Sequence, residues 1–129
     1  MKQNLMLTVI SLLSLLLLTF HLAHDVVYGY EKGVVSNLIA VPIFVIWLYA
    51  TLVLAGRRSG YIIILVGSLL AMGVPVIHMS GRGIGAGRVF GSSGAFFFVW
   101  TLIAIGVTSL FSVILSLRGL WSLPWRRAR

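Results

Sequence analysis

The 129-residue chain contains no cysteine, which excludes disulfides, thiolate metal sites and thiol redox chemistry, quinone–thiol exchange included. Acidic groups are nearly as scarce: Asp25 and Glu31 stand against ten lysines and arginines. Charged residues make up 9 % of the chain, where a soluble domain carries about 25 %. No charge falls in the middle of an apolar run, and no nucleophile is paired with a base. A phosphate loop of the GK[ST] type is missing. Gly81, Gly83 and Ala86 have the spacing of a dinucleotide fingerprint, but that motif works only between a strand and a helix of a βαβ unit, and here an apolar helix precedes it.

What the chain has instead is hydrocarbon. Hydrophobic residues make up 60 % of it and the mean hydropathy is +1.09. Four uncharged runs, Leu5 to Ala23, Val34 to Ala55, Tyr61 to Ile77 and Ala95 to Leu117, approach or exceed the roughly 20 residues that cross about 30 Å of hydrocarbon. They lack the period-two alternation of an outer-membrane barrel, so helices are expected. The sequence predicts an all-α integral membrane protein, one domain over 1–129. Its four transmembrane helices are expected over about 5–27, 36–56, 60–79 and 94–118, in an up-down-up-down bundle. A Gly-rich outer loop over 80–94 and a basic inner tail over 118–129 complete it. Helix 1 reads as a retained anchor rather than a cleaved leader, because bulky His21 would occupy the minus-three position of a cut after Ala23.

The net charge of +8 reads as topology rather than as a nucleic-acid partner, because the cations lie in short loops and a tail beside the spans. With the N-terminus inside, Lys2, Arg57, Arg58, Arg118, Arg126, Arg127 and Arg129 lie inside and Lys32, Arg82 and Arg88 outside. Seven against three supports N-in, C-in. A bacterial inner membrane is the simplest home, with the histidine-rich end outside. Trp121 and Trp125 suit the headgroup level.

Polar residues of helix 1 share a face. Ser11, Ser14, Leu18, His21 and Asp25 recur at steps of three and four, with His24 beside them, and polar groups at membrane depth are expected to point into the bundle. His78 ends helix 3 at the same level. His21, His24, Asp25 and His78 are therefore the candidate metal ligands, since imidazole suits zinc, copper or iron. His21, His24 and His78 are also the candidate axial ligands of a haem or chlorophyll. A tetrapyrrole held by two histidines would need His78 and one of the other two. The sequence leaves open whether haem, chlorophyll, a transition metal or no cofactor is bound. Pro42 and Pro75 are expected to kink helices 2 and 3 and to open a pocket over the histidine layer.

Arg82 and Arg88, among six glycines in the segment 80–94, are candidates for contact with an anion or a partner. Phe96, Phe97, Phe98 and Trp100 read as an aromatic belt. Gly67 with Ala71, and Ala104, Thr108, Ser112 and Ser116 at four-residue spacing, form small-residue packing stripes. Ser59 is expected to cap helix 3 and Gly56 to end helix 2. The leading functional expectation is an accessory or assembly subunit without catalysis of its own, its partners the lipid bilayer and other membrane subunits or a second copy, with no nucleic acid. The alternatives are a cofactor-bearing electron-transfer or pigment bundle using the histidines, and a small transporter or membrane enzyme working through the outer cavity.

Overall fold

The structure is a computed structural model that describes residues 2–29, 38–79, 91 and 93–124. The described residues form four helices: α1 (Lys2–Tyr28), α2 (Ala40–Leu52), α3 (Arg58–Met79) and α4 (Ala95–Ser122). Three of them, α1, α3 and α4, are long and apolar enough to cross a membrane. The expectation of four spanning helices is corrected at α2, whose 13 residues give about 20 Å of helix, short of the roughly 30 Å hydrocarbon layer. The run is apolar well beyond those 13 residues, but an apolar run is not by itself a continuous helix. A turn precedes α2, where the Val41 N–H donates to the Leu38 carbonyl at 3.1 Å. Gly56 follows it at φ +75°, a conformation that favours glycine and turns the chain toward α3.

Two smaller expectations also change. α3 begins at Arg58, so Ser59 lies within its first turn rather than ahead of it as a cap. α4 runs to Ser122, so the first part of the expected basic tail is helix. The cations Lys32, Arg82, Arg88, Arg126, Arg127 and Arg129 lie outside the described residues, as does most of the Gly-rich segment.

The helices pack in a ring. α4 lies against both α3 and α1, α2 leans on α3 and α1 from the other side, and α2 and α4 scarcely meet. Polarity runs inside out. Leu16, Val45, Ile46, Val66, Leu69, Val107 and Phe111 are exposed, while Ser11, Ser14, Ser68, Ser109, Ser112 and Ser116 are fully buried. Lipid solvates large apolar side chains as well as a protein core does, so the interior is free to hold the small and polar residues that let backbones approach.

The small-residue positions are used inside the chain. Ala71, Thr108, Ser112 and Ser116 are buried and Ala104 is half-buried. Gly67 faces the Trp47 indole so closely that an added Cβ would stand 2.8 Å from the ring, and one at Gly119 would stand 2.1 Å from the Tyr61 ring. Tyr61 in turn donates to Asn4 Oδ1, tying the start of α3 to the start of α1.

Trp47 cannot move aside cheaply, because three hydroxyl and indole protons hold it. Its Nε1–H donates to Ser11 Oγ at 2.7 Å, and the Thr51 hydroxyl donates to the Trp47 carbonyl at 2.9 Å. Thr51 has no second proton, so in the 2.7 Å contact between the two hydroxyls Ser11 is the donor. Every proton of this loop is placed, and it links α1 to α2 at membrane depth.

Gly67→Ala is therefore expected to destabilise the protein by about 1–3 kcal/mol through overpacking against a fixed ring. Gly73→Ala, where an added Cβ would meet nothing within 4 Å, is expected to be neutral or stabilising by up to about 1 kcal/mol through helix propensity. Unfolding of the two variants in mixed micelles checks the contrast.

Candidate metal centre

His21 and Asp25 are one turn apart on the inward face of α1, with His21 3 % and Asp25 4 % exposed. The face begins lower down with buried Ser11, Ser14 and Leu18, the period of a helix that turns one polar stripe to the interior. His78, the penultimate residue of α3, and the opening turns of α4 meet this stripe. His21, Asp25 and His78 each offer a ligand atom, and these atoms lie within 4.8 Å of one another.

The protons on His21 follow from its neighbours. The Thr101 hydroxyl donates to the Phe98 carbonyl at 2.9 Å, so its oxygen is the acceptor in the 3.1 Å contact with His21 Nδ1. In the tautomer that fits this contact, Nδ1 carries the hydrogen and Nε2 of the neutral ring is a bare lone pair. That nitrogen is buried without a hydrogen-bond partner and stands 3.6 Å from Asp25 Oδ2. A lone pair facing a carboxylate at low dielectric is unfavourable unless something positive lies between them, either a proton or a metal ion.

Phe98 closes the cluster from α4. Its ring lies 4.9 Å from that of His21 and 5.4 Å from that of His78, and the two imidazoles meet edge to face at 5.2 Å. This corrects part of the aromatic-belt reading: Phe98 is 4 % exposed, whereas Phe96 and Trp100 do face outward at 80 % and 60 %. The direct contact between the two imidazoles, with Phe98 against both, leaves no slot for a macrocycle between them and does not fit a tetrapyrrole held by both.

His24 is not a member of the three-residue set. It stacks on Tyr28 at 4.4 Å and tilts against Phe97 at 5.3 Å. An added Cβ at Gly94 would stand 2.6 Å from its Nε2, so the glycine ahead of α4 makes its room. Of the four ligands expected from sequence, the structure brings together His21, Asp25 and His78 and puts His24 in an aromatic slot. Arg82 and Arg88, the expected anion contacts, lie outside the described residues.

A cavity of about 280 Å³ opens beside the cluster between α1, α2 and α3, lined by His21, Asp25 and His78 at one end and by Leu18, Phe44, Trp47 and Val74 among its apolar walls. Pro75 lies inside α3 next to this wall, where it withholds the N–H that would bond the Ala71 carbonyl. Gly106 of α4 faces its ring, where an added Cβ would stand 3.6 Å from Pro75 Cγ, an ordinary contact. Pro42 acts differently from expectation: it is the third residue of α2, where its missing N–H costs no helical hydrogen bond and does not kink the helix.

No family model matches the chain, and no characterised protein or solved structure matches it either. The fold and the site define a helical membrane protein with a buried histidine–carboxylate cluster beside a cavity.

The sequence pattern did not assign Thr101, Phe98 or Trp47 to the site, and it read Phe98 as part of an aromatic belt. The signal for the first two was the α4 packing stripe itself, which continues from Thr108 through Ile105 and Thr101 to Phe98, all buried.

Thr101→Val keeps the shape but leaves His21 Nδ1–H against a methyl group, and it is expected to cost about 1–3 kcal/mol as an unsatisfied buried donor. Thr101→Ser keeps the acceptor and is expected to retain most of that stability. Denaturant unfolding of both variants in micelles is the check, and equal losses would show that the hydroxyl does not hold the ring.

Proposed function

We propose that this chain is an integral-membrane protein that binds a divalent transition-metal ion through His21, Asp25 and His78. The observation that carries the reading is the bare, buried Nε2 of His21 turned toward the Asp25 carboxylate, with His78 in range to complete the set. Metal–ligand bonds of about 2.0–2.2 Å place two ligands on one ion no more than about 4.4 Å apart, so side-chain shifts of under about 1 Å gather the three groups. Two histidines and one carboxylate with positions left open suit zinc or ferrous iron. The Thr101 hydroxyl acts as the outer partner that fixes the tautomer and aims the ring. The cation also offsets the cost of keeping a carboxylate at membrane depth.

The topology we propose is up-down-up-down with both termini inside, which the cation distribution supports. It sets the histidine–carboxylate cluster at the outer end of a bacterial inner-membrane bundle. An accessory role in a larger complex would have to use surfaces other than the α4 and α3 small-residue stripes, since Gly67, Ala71, Thr108, Ser112 and Ser116 are buried within the chain.

The test is zinc binding by the purified full chain, measured by equilibrium dialysis and elemental analysis. One ion per chain is expected. His21→Gln, Asp25→Asn and His78→Gln are each expected to weaken binding by more than the roughly 10–100-fold loss typical of an outer-shell partner, while His24→Gln binds normally. Wild-type protein that takes up no ion at saturating zinc, or a His24→Gln loss as large as the other three, would overturn the reading.

A further inference from the structure

The cavity that meets the metal cluster has a polar end and an apolar body. Leu22, Ile43, Phe44, Leu70 and Val74 line it, and two of these lining residues, Ile43 at 42 % and Leu70 at 58 % exposure, also belong to the surface of the bundle. A route between these two apolar side chains leads from the cavity to the flank that faces hydrocarbon. A molecule entering there comes from the lipid phase. Among the described residues that line the cavity there is no lysine or arginine, and a neutral occupant suits that lining.

Size and shape narrow the class further. An apolar cavity of about 150 Å³ holds one benzene ring, and this one, at about 280 Å³, takes a substituted ring with the beginning of a chain. Two aromatic side chains, Phe44 and Trp47, form part of the wall. The Trp47 Nε1–H is already donated to Ser11, so the indole offers the occupant an aromatic surface and no free hydrogen-bond donor. Flat rings stack or pack edge-on against such walls. Among the described lining residues, the ionisable groups are the three of the metal set, gathered at one end, and an ion held there would have positions left for an oxygen donor.

Resting on the metal reading above, we infer that the cavity binds the ring of a lipid-soluble quinone, with one carbonyl oxygen directed at the ion held by His21, Asp25 and His78 and the isoprenoid chain leaving between Ile43 and Leu70. The proposal concerns binding and involves no covalent or redox step. Trp47 reports on it, since a quinone against the indole quenches its fluorescence.

The experiment uses the full chain in lipid nanodiscs, zinc-loaded, with Trp100, Trp121 and Trp125 replaced by phenylalanine so that Trp47 is the sole emitter. The probe is a benzoquinone bearing a single isoprenoid unit. Saturable quenching at one quinone per chain is expected. Leu70→Phe, which narrows the lipid-side mouth without touching the ligand set, is expected to weaken it by roughly tenfold or more while zinc content stays at one per chain. Zinc-loaded protein that shows only linear, non-saturating quenching, or quenching indifferent to Leu70→Phe, overturns the quinone inference and leaves the metal site standing. Protein that retains no zinc overturns the metal reading itself, and that failure appears in the elemental analysis before any quinone is added.

Discussion

A polar side chain in hydrocarbon has no water to fall back on, so a buried one is stabilised by a partner within the protein; among the described residues some find one, while the hydroxyls of Ser68, Ser109, Ser112 and Ser116 do not. That constraint organises the interior. The loop of donors from Trp47 to Ser11 to Thr51 and back to the Trp47 carbonyl closes on itself at membrane depth, fixes the indole against Gly67 and thereby shapes one wall of the cavity. The same reasoning applied about three to four turns further along α1 has a different outcome. His21 is satisfied on one side by Thr101, but on the other it turns a bare nitrogen toward a carboxylate. One polar network is closed within the protein, and the other is the one for which we propose a bound cation.

The two networks differ in consequence because they differ in chemistry. Hydroxyl and indole protons can be shared around a ring of neutral groups at little cost, so the lower network is purely architectural. An imidazole and a carboxylate in an apolar setting are stabilised by a positive charge between them, and a third candidate ligand on another helix is the reason we propose a metal ion there. Phe98, packed against both imidazoles, excludes water from the α4 side. The cavity leaves the cluster open on the side of α1, α2 and α3.

Much of this was legible in the amino-acid order. Hydropathy located all four helices, and the three- and four-residue recurrence from Ser11 to Asp25 marked the face of α1 that is buried. The level of His78 followed from its place at the end of an apolar run. The extent of α2 was not legible, because hydropathy measures what a segment prefers to be solvated by and not where its hydrogen-bond ladder stops. Nor was the placing of His24 outside the three-residue set: it is three residues from His21 and adjacent to Asp25, and its ring lies against Tyr28 and Phe97 beside Gly94. Thr101 was illegible for a related reason, since a threonine in an apolar helix looks like packing until its neighbour across the interface is known to be a histidine. Choosing Phe98 from three consecutive phenylalanines needed the phase of α4, which the small-residue stripe already contained.

The central claim is that His21 holds its hydrogen on Nδ1 and presents Nε2 to a cation. Nitrogen NMR of the imidazole rings in the full chain, with Thr101→Val used to assign the His21 signals, tests it most directly. At saturating zinc the account expects a His21 with Nδ1 protonated, Nε2 unprotonated and its Nε2 resonance displaced by the ion. A His21 whose Nε2 remains protonated under those conditions, whether as the other tautomer or as an imidazolium paired with Asp25, would contradict it.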